Sequence, residues 1–192
     1  MKKIFCCLVI LIFSAELAYP QNKDKVIRAL ADSAVKLFTW DIKKEDKGTL
    51  MFLDVAFDHG GKTEYLSLTV AKDKSKDRPV FISVIVPSDI NQDNGIFMTF
   101  AKSVKRASGE SNLEIAKDLT VRLNFEKCDN RDCIARIINS YADDKESNKK
   151  VDILKSMLAY DHVLFLFLYA DGGHKSVAVP LFSFKAQYKT LP

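Results

Sequence analysis

The sequence predicts a mainly β fold, a sandwich or closed barrel of about seven to nine short antiparallel strands with one or two peripheral helices. Three observations predict it. From Phe38 onward apolar residues recur in short runs at a period of two, the period of a strand with one buried face. Clusters of Gly, Pro, Asp and Asn separate those runs at turn positions. The chain has 192 residues, 47% of them hydrophobic, enough for one domain with a substantial core.

The first element stands outside that fold. Lys2 and Lys3 precede an uninterrupted apolar run from Ile4 to Phe13, and the small residues Ser14, Ala15 and Ala18 follow it. This is the anatomy of a secretory signal peptide. Ten helical residues span about 15 Å, half of the roughly 30 Å hydrocarbon core, so the run is too short to cross a membrane. Residues 1–18 are expected to be removed, with cleavage after Ala18, although Glu16 departs from the small residue usual at that position. Cys6 and Cys7 lie near the start of the apolar run, whereas the cysteine of a lipoprotein would stand at its end. Residues 19–37 form an N-terminal helical extension: Val26, Ile27, Leu30, Ala34 and Leu37 share one face of a helix over Asn22 to Leu37.

Residues 38–192 carry the β domain. Phe38 to Lys43 alternates, with Phe38, Trp40 and Ile42 apolar. Leu50 to Phe57, Thr63 to Val70, Val80 to Val86 and Ile96 to Ala101 follow as strands. The turns between them fall at Asp58-His59-Gly60-Gly61, Lys72 to Pro79 and Pro87 to Gly95. Leu119 to Phe125 alternates again, with Leu119, Val121, Leu123 and Phe125 inward, and Cys133 to Ile138 answers it. Asn148 to Tyr160 reads as a helix with Val151, Leu154, Met157 and Leu158 on one face. Val163 to Tyr169 and Lys175 to Phe182 read as a hairpin around Asp171-Gly172-Gly173.

Charge narrows the choice of partner. The formal net charge is +4, from 29 basic and 25 acidic residues, and no stretch gathers Lys and Arg into a groove-binding patch. Nucleic acid is therefore not expected as a partner. A mildly basic surface is compatible with peripheral association with an anionic membrane.

Without the leader, only Cys128 and Cys133 remain. They flank Asp129-Asn130-Arg131-Asp132, a turn-forming tetrad between two strand patterns. A four-residue hairpin loop sets its flanking positions face to face, within reach of a disulfide, and an oxidising compartment makes that the default. Zinc would want four ligands, and His59, His162 and His174 are scattered in sequence. A redox pair usually has two intervening residues, where this one has four. Closing so short a loop stabilises by about 2 kcal/mol, so the bond pins the turn and does not hold the domain together.

The residues around this pair, Phe125-Glu126-Lys127-Cys128 and Cys133-Ile134-Ala135, resemble the paired-cysteine hairpin of the invasion-associated locus B (IalB) family. The C-terminal run is similar too: Asp171-Gly172-Gly173, then Val179-Pro180-Leu181-Phe182-Ser183-Phe184-Lys185-Ala186, with Tyr188 and Leu191. So is the opening Trp40-Asp41-Ile42. The resemblance spans Phe38 to Leu191. It departs from the family at Lys43-Lys44, where a further cysteine often stands, and at Ser183, where glycine is usual. It implies an immunoglobulin-like β-sandwich in an envelope or secreted protein of alphaproteobacteria, linked to host-cell invasion, and it carries over no catalytic residue.

No catalytic motif is found. There is no nucleophile elbow, P-loop, dinucleotide fingerprint or H-E-x-x-H. Asp161-His162 pairs a carboxylate with an imidazole, but adjacent strand residues point to opposite faces. Asp89 to Gly95 imitates the front of a calcium loop, yet Asn94 stands where the sharp-turn glycine belongs and Phe100 where the bidentate glutamate belongs. No catalytic residue, metal or cofactor is assigned. The reading is an exported, non-enzymatic envelope or surface protein that supports association with, or invasion of, host cells. The contrasting readings are an envelope maintenance or assembly factor and a periplasmic hydrolase or metal-binding enzyme. Binding on a sandwich uses loops and edges. Three charged segments qualify: Lys72 to Arg78, Lys102 to Asn112 and Asp143 to Lys150. Lys102, Lys105 and Arg106 make the second the most basic, suited to a host-cell or envelope component that is acidic, or to anionic lipid.

Overall fold

Two antiparallel sheets face each other in the computed structural model, which describes residues 39–105, 111–144 and 149–191. The first has six strands. β1 (Asp41–Lys44), β2 (Gly48–His59), β3 (Lys62–Asp73) and β4 (Pro79–Pro87) run as a meander. β8 (Asp132–Ile138) pairs with β4, and the short β7 (Lys127–Cys128) closes that edge. The second sheet has the order β12 (His174–Pro180), β11 (His162–Leu168), β5 (Ile96–Lys105), β6 (Ser111–Leu123). A separate ribbon pairs β9 (Tyr141–Asp144) with β10 (Lys149–Asp152). Among the described residues two short α-helices, α1 (Ile153–Ala159) and α2 (Phe182–Tyr188), join the strands. The long runs expected as strands are β2 to β6, β8, β11 and β12; the short β7, β9 and β10 carry too few residues to show a period.

Alternation explains the core. Met51, Leu53 and Val55 on β2 face the second sheet, as do Leu66, Leu68 and Val70 on β3 and Ile82, Val84 and Val86 on β4; all are buried. Register turns these sets into rows, such as Leu53–Leu68–Val84–Ala135 across four strands. The opposing rows come from the second sheet, for example Val121–Met98–Phe165–Val177. A one-residue slip of any strand would put its whole apolar set in water, which fixes the register. Gly60 and Gly61 both have positive φ, as the two-residue turn between β2 and β3 requires.

Several expectations are corrected. The opening strand begins at Asp41, and its Ile42 is 40% exposed; Trp40 is buried and packs on Phe184 of α2 with ring centroids 4.9 Å apart. The helix expected over Asn148 to Tyr160 begins only at Ile153. Residues Lys149 to Asp152 pair with β9, and the Asp152 carboxylate accepts from the Lys155 N–H, an N-cap that starts the helix there. The last strand ends at Pro180, which has no N–H to continue a ladder. Leu181, Phe184, Tyr188 and Leu191 then recur at helical spacing and bury against Trp40's side of the core. The helix expected over Asn22 to Leu37, the leader and its cleavage site lie outside the described residues. Among the described residues no helix is long and apolar enough to cross a membrane.

The segment Lys102 to Asn112, expected as a loop, is the largest correction. β5 runs on to Lys105 and β6 starts at Ser111, with Lys102, Ser103, Val104 and Lys105 opposite Glu114, Leu113, Asn112 and Ser111. β11 stops pairing with β5 at Ala101, so this stretch is a two-stranded arm extending past the sheet. A bulge marks where the arm departs: four residues, Lys117 to Thr120, stand against Thr99. The Thr99 hydroxyl donates to the Ala116 carbonyl and accepts from Thr120, which keeps the bulge's polar groups paired.

Candidate functional site

Strand β11 reads His-Val-Leu-Phe-Leu-Phe-Leu. Val163, Phe165 and Phe167 point into the core, and Leu164, Leu166 and Leu168 point the other way. Apolar residues on both faces are the pattern of a strand covered on both sides. Here the outer side has no covering layer among the described residues. Phe97 lies opposite Leu166, and Thr99 opposite Leu164, so the outward row of β5 extends the apolar surface of β11. Ile115 of β6 adds to it beyond the bulge. The result is a shallow groove of about 350 Å³ on the outer face, lined by Phe97, Thr99, Ile115, Thr120, Leu164 and Leu166 among others. Phe97 is 37% exposed, Leu166 40% and Ile115 49%.

The six-stranded sheet differs. Its outward rows interleave apolar residues with Asp54, Ser67, Thr69, Ser83 and Arg136. Ser67 hydrogen-bonds Asp54, and Arg136 pairs with Glu126 at 3.1 Å while its guanidinium covers the Phe81 ring. Those pairs interrupt the apolar surface of that face, on which Tyr65 and Ile138 are the exposed apolar side chains. The outer face of the four-stranded sheet, without comparable polar cover, is the candidate site.

The sequence-predicted residues distribute as follows. Cys128 and Cys133 are register partners across β7 and β8, with Cα atoms 4.0 Å apart and their sulfurs joined. Their turn is pinned by Asp129, whose carboxylate accepts the Arg131 and Asp132 N–H groups at 2.9 and 3.1 Å. The first of those bonds, then the second, holds the carboxyl below its ordinary value. The pair closes one edge of the six-stranded sheet and does not touch the apolar groove. Lys102 and Lys105 stand on the arm, in strand and not in loop; Arg106 lies outside the described residues. The Lys102 ammonium sits 5.4 Å from the centre of the Tyr160 ring.

Of the other charged segments, residues 74–78 form the turn between β3 and β4, a loop as expected, and the described ends of Asp143 to Lys150 lie on β9 and β10. Lys72 and Asp73 end β3, and Arg78 makes a two-pronged ion pair with Asp152 at 3.2 and 2.9 Å over the Tyr141 ring. Asp143 pairs with Lys150 across β9 and β10.

The histidines divide between the two ends of β11. His162 begins the strand. Burial, only partly offset by Asp161, depresses its pKa. The Asp161 carboxylate is turned elsewhere, accepting the Ser103 N–H at 3.0 Å and facing Lys185 at 3.8 Å. At the far end, His174 lies opposite Leu168, and His59 stacks on Tyr169 with centroids 3.5 Å apart. Tyr169 donates its hydroxyl to Glu64 at 2.9 Å; burial, then that bond, holds the phenol well above its usual range, so it remains a donor. This His59–Tyr169–Glu64 group ties β2, β3 and β11 together, an assembly the scattered sequence positions did not reveal. The Asp89 to Gly95 turn is filled from within: Asn91 caps the single turn Gln92–Asn94, and Arg122 donates to the carbonyls of Asp93 and Asn94. Among the described residues no group of three or more His, Cys, Asp or Glu is placed to hold a metal ion.

Comparison of the chain with family models, with curated proteins and with solved structures finds no match.

Proposed function

We propose that this chain is an exported protein of the bacterial envelope or surface that acts by binding, without turnover, and supports association with host cells. The observation that carries the binding reading is the uncovered apolar outer face of the four-stranded sheet. A sandwich gains no stability from the parts of Phe97, Leu166 and Ile115 that are left in water, and contiguous exposed apolar surface of this kind is what interaction sites are made of. The disulfide pair is compatible with export to an oxidising compartment, and the apolar run behind Lys2 and Lys3 supplies the route. Involvement with host cells rests on the family resemblance of the cysteine hairpin and the C-terminal run.

The test uses a deletion strain complemented with the wild-type chain or with Phe97→Ser plus Leu166→Ser. The variant is expected to reach the envelope at wild-type level and to lose most host-cell association. Unchanged association with a correctly folded variant would overturn the reading. Recovery of full-length protein that begins at Met1 in the cytoplasm would overturn export.

A further inference from the structure

We propose that the β5–β6 arm and the adjoining outer sheet face dock on a lipid bilayer that carries anionic headgroups. This rests on the reading that the uncovered face is the binding surface, and it names the partner. Three observations point to lipid.

The first is the arm's construction. Lys102 to Lys105 and Ser111 to Glu114 share a ladder only with each other, held at its root by the Ser103 N–H to Asp161 and by Lys102 over Tyr160, and a two-stranded ribbon with so little to pack on is marginal in water. Yet it carries exposed aliphatic side chains, Val104 at 40% and Leu113 at 42%. Folding did not bury them, so they are available to a partner.

The second is their distribution. By register Leu113 and Ile115 lie on the side of the arm continuous with Phe97 and Leu166, whereas Val104 lies on the other. One rigid protein surface laid on the outer face would cover Leu113 and Ile115 and leave Val104 in water. An interfacial lipid layer, into which an amphipathic element sinks about 5–10 Å, surrounds both sides.

The third is charge. On the outward side the register places Lys105 and Arg122 beside the apolar surface and no carboxylate, apart from the bulge, where Lys117 and Asp118 carry one charge of each sign. Lys102 and Glu114 lie opposite each other on the reverse side. Two copies stacked face to face would set like charges together. An anionic headgroup layer would attract them, while the long lysine stems let aliphatic neighbours sink below the ammonium groups.

The experiment uses the chain as isolated from the envelope, with vesicles of phosphatidylcholine alone and of phosphatidylcholine and phosphatidylglycerol in equal parts. Co-flotation is expected with the mixed vesicles and to fall steeply with salt. Lys105→Gln is expected to weaken it about fivefold, and Lys102→Gln, opposite Glu114, less. Contact is located by Ile115→Trp, read against the buried Trp40: its emission should shift blue and be quenched by brominated lipid. Phe52→Trp, on the outward side of the other sheet, should show neither change.

Equal binding to both vesicle types, no binding, or bound protein with an unquenched Ile115→Trp would each overturn the lipid assignment. So would a dimer in solution that dissociates on Leu166→Asp, which would give the face to a second copy. If lipid binding fails while host-cell association still depends on Phe97 and Leu166, the binding face stands and only its partner is wrong. If both fail, the face itself is not the site.

Discussion

Replacing Ile115 by Thr asks whether the arm and outer face are as uncovered as the structure has them. Thr keeps the β-branch, and with it the preference for strand, while removing apolar surface. Burying an isoleucine fully contributes about 1.5–3 kcal/mol. Ile115 is 49% exposed, so about half of that is at stake, about 1 kcal/mol. In a chain of this size that corresponds to a fall in Tm of about 2–4 °C. Phe165, two strands away in the same sheet but inward and fully buried, provides the scale. Phe165→Ala deletes a core ring and is expected to cost about 3–5 kcal/mol, several times the Ile115 effect. Calorimetry on the two variants and the wild type decides the matter. A loss for Ile115→Thr as large as that for Phe165→Ala would mean that Ile115 is packed under something and that the outer face is not uncovered.

Three further outcomes follow from the same structure. Cys128→Ser with Cys133→Ser releases a loop of only four intervening residues, so chemical denaturation should show a loss of about 2 kcal/mol with the fold retained; unfolding of the double variant would assign the pair a larger role. Asp152→Ala removes the cap of α1 and should cost about 1 kcal/mol, whereas Asp152→Asn keeps a capping oxygen and loses only the ion pair to Arg78, a smaller and salt-sensitive effect. Although burial opposes it, the Arg78 and Lys155 bonds leave the folded Asp152 carboxyl below its unfolded value of 3.8, so the unfolded chain binds the proton first. The difference between wild type and Asp152→Asn should therefore be present above about pH 4 and vanish as acid titrates the folded group. His162 has the same sign at higher pH. Its folded imidazole resists protonation while the unfolded one titrates near 6.5, so stability should decline as pH falls below about 6.5 and level off once the folded group also protonates. Melting temperatures of wild type and His162→Leu across that range check it, and identical pH profiles would contradict it.

What the sequence made legible depended on whether a residue has one buried face. Strands β2 to β4 are covered on one side by the second sheet and alternate accordingly, so their apolar positions were readable. The cysteine pair was readable because four turn-forming residues leave its partners little choice. The arm was not, because Lys102 to Lys105 and Ser111 to Glu114 leave every side chain but Asn112 exposed. A strand without a buried face has no hydrophobic period and looks like a charged loop. Helix α2 was hidden by overlap: Val177, Val179 and Leu181 continue the period of two to the point where Leu181, Phe184 and Tyr188 begin a period near 3.6. The candidate face did leave a trace in the sequence. The unbroken apolar run from Val163 to Leu168 is too apolar for a strand with one wet side.

The outer face of the four-stranded sheet is proposed as the surface on which this protein meets its partner. The most direct test is a photo-crosslinking phenylalanine analogue placed at Phe97 or, as the control, at Phe52 on the opposite sheet, in bacteria in contact with host cells. Adducts are expected from position 97 and none from position 52. Adducts from position 52 with position 97 unreacted would contradict that assignment.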